Sequence, residues 1–154
     1  MFVCIWCEDK DHGIAKDNKL PWHLPEEMQH FRQTTLNHKI IMGRNTYLTL
    51  NKPLPHRINY VACNDLNYKN DDVNVVYSLN DFINEYKDSS EVIYVIGGKQ
   101  IYQQMIPYSQ ALIVSRLNES YDCDMFLDNV DYSQFKLIRT EPHNNFTIYY
   151  YECL

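Results

Sequence analysis

Short apolar runs rich in β-branched and aromatic residues recur along the chain, separated by polar or turn-forming residues. They predict strands at 2–7, 39–42, 58–63, 73–77, 92–96, 110–116, 133–139 and 146–153. Helical spacing between several of these runs predicts helices at 25–35, 44–50, 79–87 and 98–106. This alternation is typical of a largely parallel sheet covered on both faces, and the last two runs, joined by "EPHNN", predict an antiparallel edge hairpin.

The segment 8–24 has no strong periodicity, yet it carries Ile14, Leu20 and Trp22. Such a segment could simply cover the core. A loop of this length in a compact domain is usually functional, so we favour the interpretation that it lines a site.

The predicted helix 25–35 turns one carboxylate toward its apolar side. At about 100° per residue, Leu24, Met28 and Phe31 fall together, and Glu27 projects to the same side. Glu26 projects outward and is expected to be a solvated acid favoured by the helix dipole. If Glu27 were merely structural, it would snorkel to the surface or pair with a buried base.

Length and composition indicate one globular domain, 1–154, with 45% hydrophobic and 22% charged residues. The formal net charge of -6 argues against non-specific binding to nucleic acid or to an anionic membrane. No apolar run reaches the length of a membrane span, and "MFVCIWCEDK" lacks a basic leader, so we expect no signal peptide. No metal site is predicted.

The five cysteines are scattered and odd in number, which favours free thiols in a reducing cytoplasm. "CIWC" has the spacing of a redox dithiol, but it lies in a predicted strand, where residues three apart face opposite sides. We therefore favour core cysteines over redox or zinc chemistry.

Three of the four glycines stand where an apolar strand meets a helix, in "IIMG|RNTY" and "VIYVIGG|KQIYQQM". Glycine there can be a simple tight turn, or it can let the backbone approach a phosphate. The pair of junctions in a glycine-poor chain favours a dinucleotide with more than one phosphate, although neither matches a P-loop or G-x-G-x-x-G.

The chain resembles dihydrofolate reductase over essentially its full length, in "GIAKDNKLPWHLPEEMQHFRQTT", "IIMGRNTYLTL", "PLPHRIN" and "VIGGKQIYQQMIP". The resemblance implies a mostly parallel eight-stranded α/β sheet with flanking helices and an antiparallel C-terminal strand. It also implies hydride transfer from NADPH to dihydrofolate, giving tetrahydrofolate, with antifolate inhibitors expected at the same pocket. Separately, we expect a monomer, because no long unpaired hydrophobic face is evident in the sequence.

The resemblance implies that Glu27 accepts hydrogen bonds from the 2-amino group and N3 of the pteridine. An apolar surround is expected to raise its pKa. Trp22 would hold a water, Ser115 would hydrogen-bond Glu27, and Arg57 would pair with the glutamate tail. The full set of substrate-binding residues it implies is Ile5, Met28, Phe31, Leu50, Leu54, Arg57, Ile96 and Tyr102, of which Phe31 and the leucines could equally be core.

For NADPH, the resemblance places the nicotinamide between the first strand and the long loop, and the phosphates at the glycine junctions. Preference for NADPH over NADH would rest mainly on Arg44 and Asn64. The implied cofactor-binding residues are Cys7, Ile14, Ala15, Asn18, Leu20, Gly43, Arg44, Asn45, Thr46, Cys63, Asn64, Ile96, Gly97, Gly98, Lys99, Gln100, Ile101, Tyr102 and Gln104.

Two other functions remain open at this stage. One is a related NADPH reductase of another pterin or pyrimidine, which need not keep Glu27, Phe31 and Arg57 together. The other is a folate-binding module without catalysis, which would be expected to lose Trp22 or the region of Tyr102.

Overall fold

The computed structural model describes residues 1–154 and has the predicted alternation of strands and helices. The strands are β1 (Phe2–Glu8), β2 (Gly13–Ala15), β3 (Lys39–Gly43), β4 (Ile58–Ala62), β5 (Asn74–Val76), β6 (Ile93–Val95), β7 (Ser109–Leu117), β8 (Met125–Phe126), β9 (Phe135–Pro142) and β10 (Phe146–Cys153). The helices are α1 (Pro25–Thr35), α2 (Arg44–Leu50), α3 (Leu79–Tyr86) and α4 (Lys99–Met105), with 3₁₀ turns at Ile106–Tyr108 and Tyr132–Gln134.

Eight strands form the main sheet in the order β5-β4-β3-β6-β1-β7-β10-β9. Every neighbouring pair from β5 to β7 is parallel, whereas β10 runs antiparallel to both β7 and β9. The predicted α/β class, with its antiparallel C-terminal strand, is therefore confirmed. The strand order brings the ends of β3, β6, β1 and β7 side by side at the centre of the sheet.

Local sequence explains where the helices begin. Pro25 opens α1, where its fixed φ and missing N–H cost nothing. The hydroxyl of Ser78 accepts a hydrogen bond from the backbone N–H of Asp81 and caps α3. At the other end of the chain, β9 begins two residues later than predicted because a 3₁₀ turn, capped by Asp131, occupies Tyr132–Gln134.

The small second sheet was missed by the sequence analysis. β2 lies within the segment 8–24 and pairs antiparallel with β8, with Gly13 opposite Phe126 and Ala15 opposite Met125. Strands of three and two residues are too short to show a periodic pattern. Their pairing fixes the long loop against the segment that follows β7.

The core lies mainly between the sheet and helices α3 and α4, where Phe2 of β1 packs against Phe82 of α3 at a ring distance of 6.0 Å. A second cluster on Ile40, Met42 and Val61 is covered by Tyr47 of α2. β1 is buried on both faces, as expected of a central parallel strand. None of the helices has the length and apolar character needed to cross a membrane.

Candidate active site

Glu27 is buried, with 6% of its surface exposed, on the face of α1 that looks toward the sheet. Burial raises the pKa of its carboxyl group, and the nearby Ser115 hydroxyl partly opposes that rise. None of the ion pairs in the structure includes Glu27. The fold therefore does not pair Glu27 with a buried base. The predicted inward phase of Glu27 is confirmed.

Two further polar atoms of the predicted site are buried without a hydrogen-bond partner in the protein. They are Nε1 of Trp22 and Oγ of Ser115, which is only 1% exposed as a residue. Ser115 faces Cys7 across the β1–β7 ladder, and Cys7 also packs near Trp22. Because an unsatisfied buried polar group costs about 1–3 kcal/mol, this cluster is suited to a polar ligand that supplies the missing partners.

Apolar side chains at this end of the sheet are only partly buried. Met28 follows the buried Glu27 but is itself 50% exposed. The predicted apolar face of α1 is therefore not packed as ordinary core. Phe31, Leu50 and Leu54 are half-buried. Partial exposure of such residues is what the walls of an open cleft require, and it favours the pocket-wall interpretation.

Arg57 is held against Thr35, the last residue of α1. Its Nη1 donates to Thr35 Oγ1 at 3.0 Å and its Nε donates to the carbonyl oxygen of Pro55 at 3.0 Å. The buried side chain of Asn59, missed by the sequence analysis, holds this turn through Leu54 and Arg57. These contacts fix the position of the guanidinium and leave its remaining N–H donors available to a carboxylate.

The two glycine junctions predicted from the sequence meet in space. β3 and β6 are parallel neighbours, and the N–H of Gly43 donates to the carbonyl oxygen of Gly97 at 2.8 Å. Gly97 has φ +121, and a Cβ there would lie 3.4 Å from the ring of Tyr102. A Cβ on Gly98 would lie 3.3 Å from Thr46 Oγ1, so glycine keeps the space between the two junctions free.

Tyr102 ties this cradle to the central strand. Its hydroxyl donates to the carbonyl oxygen of Ile5 at 2.7 Å, and its ring packs at 5.4 Å from that of Trp6. Several other predicted cofactor residues lie less deeply. Leu20 is 55% exposed, and Gln104 donates to the carbonyl oxygen of Gln100 on the outer surface of α4.

The long loop is anchored by Asp9, a second residue that the sequence analysis missed. Its fully buried carboxylate accepts hydrogen bonds from the backbone N–H groups of Asp11, Gly13 and Tyr121 at 2.8–2.9 Å. Burial works to raise the pKa of Asp9, but these N–H donors hold it below its ordinary range. Farther along, the carbonyl oxygen of Asn18 accepts from Thr49 of α2, so the loop spans the cleft.

We expect Asp9→Asn to lower the free energy of unfolding by about 1–3 kcal/mol, because an amide cannot accept from all three N–H groups. Backbone hydrogen exchange should quicken in 9–16 and 119–124, as measured by mass spectrometry. A depressed pKa stabilises the fold above the ordinary pKa of about 3.9 and the contribution is lost at more acidic pH, so the difference from wild type should shrink there.

Asp11→Asn is the matched control for this prediction. Asp11 is exposed and accepts only from the Ser120 hydroxyl at 2.6 Å. It should change exchange and stability little. Equal effects of the two substitutions would contradict the anchoring role of Asp9.

Glu26 projects outward and is exposed, as predicted, but it also forms an ion pair that the sequence analysis did not predict. Although half exposed, it pairs with Nδ1 of His143, whose Nε2 contacts Glu141 at 2.8 Å. The two acids, Glu141 first, raise the pKa of His143. The imidazole also stacks on Phe146 at 4.5 Å. This contact fastens the first turn of α1, which carries Glu27, to the β9–β10 hairpin.

The cysteines are consistent with the core interpretation. All five are free, and Cys4 and Cys7 both lie in β1. Burial raises the pKa of Cys4 to about 12 and that of Cys7 well above its usual range. Their thiols are therefore protonated and weakly nucleophilic.

A buried acid with the Ser115 hydroxyl as its neighbour, together with a glycine cradle at the carboxyl ends of parallel strands, defines a nucleotide-dependent enzyme of the α/β class. The family model described as "Dihydrofolate reductase" matches residues 1–153. The chain belongs to the dihydrofolate reductase family, and it is an NADPH-dependent oxidoreductase of folate metabolism.

Individual relatives agree with this assignment. The chain is 42% identical over 153 residues to dihydrofolate reductase of Ureaplasma parvum, covering 98% of this chain and 96% of that protein. It is 36% identical to that of Mycoplasma pneumoniae, covering 98% and 97%. A structure of dihydrofolate reductase from Enterococcus faecalis complexed with NADP(H) and RAB-propyl superposes with a TM-score of 0.92 at 26% identity, covering 99% of this chain and 96% of that one.

One relative is much longer. A protein of Mycoplasmoides gallisepticum named "Segregation and condensation protein A" is 42% identical over 153 residues. The match covers 99% of this chain but spans only 26% of that protein. The similarity therefore concerns about a quarter of that protein.

Proposed function

We propose that this chain reduces 7,8-dihydrofolate to 5,6,7,8-tetrahydrofolate with Glu27 as the group that holds the pteridine ring. The observation that carries the assignment of Glu27 is its burial without a basic partner, with the Ser115 hydroxyl as its polar neighbour. The 2-amino group and N3 of the substrate are adjacent donors that a carboxylate accepts together. Binding would thus give the Glu27 carboxylate the donors that no basic side chain of the protein supplies.

Each remaining residue of the site has a distinct part in this proposal. Ser115 would donate its hydroxyl to the Glu27 carboxylate, and Trp22 would hold a water through its indole N–H near the pteridine carbonyl. Met28 and Phe31 would exclude other water from the ring face. The proton added at N5 would come from water, with Glu27 fixing the ring and biasing its protonation rather than donating directly.

The residues present fit NADPH. Gly43 and Gly98 leave partly exposed backbone at the two junctions, and Thr46 and Arg44 add a hydroxyl and a cation. Ile14 and Ala15 lie in β2, at the start of the long loop, and would bound the nicotinamide through their backbone. The cofactor, when bound, supplies the hydride that reduces C6 of the pteridine.

Loss of NADPH absorbance by the folded protein, measured with and without dihydrofolate, tests the function. We expect oxidation that requires dihydrofolate. Oxidation driven instead by another pterin or a pyrimidine would favour the related reductase. Binding of both ligands without oxidation would favour the non-catalytic module.

Arg57→Lys tests the substrate's orientation. We expect the KM for dihydrofolate to rise by about 10- to 100-fold with little change in kcat, because an ammonium cannot reproduce two parallel charge-assisted hydrogen bonds. Dihydropteroate, which lacks the glutamate tail, is the control substrate and should show no such difference between wild type and variant. An equal penalty on both substrates would contradict the assignment to the tail.

The same pocket should bind antifolates, which we expect to raise the melting temperature of wild type more than that of Glu27→Gln.

We also propose that the chain acts as a single-domain monomer in the cytoplasm. Free cysteines support a reducing compartment, and charged Lys136 and Arg139 protect the edge strand β9 from pairing. Sedimentation equilibrium of the full chain would measure its oligomeric state.

A further inference from the structure

The cation assigned to the adenosine end of the cofactor already has an acidic neighbour. Arg44 follows Gly43 at the carboxyl end of β3, and Asp65 follows the adjacent parallel strand β4. Arg44 Nη1 lies 3.8 Å from Asp65 Oδ2. The guanidinium also sits 5.6 Å from the centre of the Tyr68 ring.

Asp65 is held so that one oxygen faces Arg44. Its Oδ1 accepts from the N–H of Asn67 at 2.9 Å, and its carbonyl oxygen accepts from the N–H of Tyr68 at 3.0 Å. Oδ2 is the oxygen nearest Arg44. Tyr68 itself is fixed by Tyr77, whose hydroxyl donates to the Tyr68 carbonyl oxygen. The acid is therefore positioned by backbone contacts rather than by the ion pair alone.

We propose that Asp65 is a specificity-determining residue that weakens the preference for NADPH over NADH. The proposal rests on the function proposed above, because it takes the phosphorylated ribose to lie against Arg44. At the end of the neighbouring strand in dinucleotide sites, an acid suits a ribose 2′-hydroxyl and an arginine suits a 2′-phosphate. This chain carries both groups in contact, so each cofactor meets one favourable partner.

The opposing effects have clear physical causes. A 2′-phosphate must draw Arg44 away from Asp65 and then stay near a carboxylate of its own sign. A 2′-hydroxyl instead is a donor that Asp65 can accept. Both side chains are about half exposed, at 41% and 50%, so solvent moderates the penalty without removing it.

Asp65→Asn is the direct test, because asparagine keeps the shape and the acceptor for Asn67 but removes the charge. Calorimetric titration of the full chain with 2′,5′-ADP and with 5′-ADP measures the 2′-phosphate contribution without turnover. We expect Asp65→Asn to bind 2′,5′-ADP about three- to tenfold more tightly and 5′-ADP no more tightly than wild type does. The ratio of kcat/KM for NADPH to that for NADH should rise by a similar factor, through KM.

Asp88→Asn is the matched control for net charge. Asp88 is exposed near the N-terminal amine, at the amino ends of the central strands, whereas Arg44 follows the carboxyl end of β3. It should leave both affinities unchanged. Unchanged 2′,5′-ADP affinity in Asp65→Asn, an equal gain in Asp88→Asn, or no binding of either nucleotide would overturn the proposal. Failure to oxidise NADPH with dihydrofolate would instead overturn the proposed function, and the titrations would still decide the role of Asp65.

Discussion

Replacing Glu27 by glutamine should lower kcat/KM for dihydrofolate at neutral pH by about 100-fold or more while leaving NADPH affinity unchanged. Two charge-assisted hydrogen bonds to the pteridine are lost or weakened, and each is worth about 1.5–3 kcal/mol. The amide also presents an N–H₂ donor where the substrate presents donors. Steady-state kinetics and a separate NADPH titration would measure the two effects.

The same substitution should make the ligand-free protein more stable at pH 7. Burial raises the pKa of Glu27, so the folded state binds its proton more tightly than the unfolded state does. Stability therefore falls as pH rises from the ordinary glutamate pKa of about 4.3 through the raised folded value. Glutamine removes that cost, and thermal unfolding at pH 7 and at about pH 4 should show the gain shrinking in acid.

Glu27→Asp is the control that separates the effect of the carboxylate charge from the effect of its position. It keeps the carboxylate but shortens its reach by one methylene, so it should retain more activity than Glu27→Gln and should keep the pH-dependent cost. Turnover by Glu27→Gln equal to that of wild type, or a loss of stability at pH 7 together with lost activity, would contradict the role as ligand acceptor.

The features predictable from the sequence are those that a short local pattern encodes. Strand and helix order follows from apolar spacing, and the inward direction of Glu27 follows from its angle on α1. The two glycine junctions were recognisable because a strand, a glycine and a helix are consecutive in the chain. Their contact through Gly43 and Gly97 then follows from a parallel sheet that places β3 beside β6.

The features missed are contacts between residues far apart in sequence. The ion pair of Glu26 was not predicted because its partner His143 lies 117 residues away. Asp9 and Glu8 carry no local signal of burial, because their burial depends on a loop and on β7. Apolar character alone also could not separate pocket wall from core, and Met28, half exposed, shows the difference only in three dimensions.

Glu8→Leu should lower the free energy of unfolding by about 3–5 kcal/mol, because it leaves a partly buried charge and two further donors without their acceptor. The fully buried Glu8 carboxylate accepts from Trp6 Nε1 at 2.7 Å, from Arg116 Nε at 3.1 Å and from His12 Nδ1. Burial by itself would lower the pKa of Arg116, but Glu8 more than offsets this and raises it. Denaturant unfolding of wild type and variant would measure the loss.

The double variant Glu8→Leu/Arg116→Leu separates a buried ion pair from simple packing. If the large loss comes from the uncompensated guanidinium, removing Arg116 as well should recover stability, and the double variant should lose less than the two single variants summed, by about 2 kcal/mol or more. Arg116 also stacks 4.4 Å from the Tyr149 ring, so Arg116→Leu alone carries its own cost. Strictly additive losses would mean that Glu8 and Arg116 stabilise the fold independently, and that the carboxylate contributes mainly through Trp6 and His12.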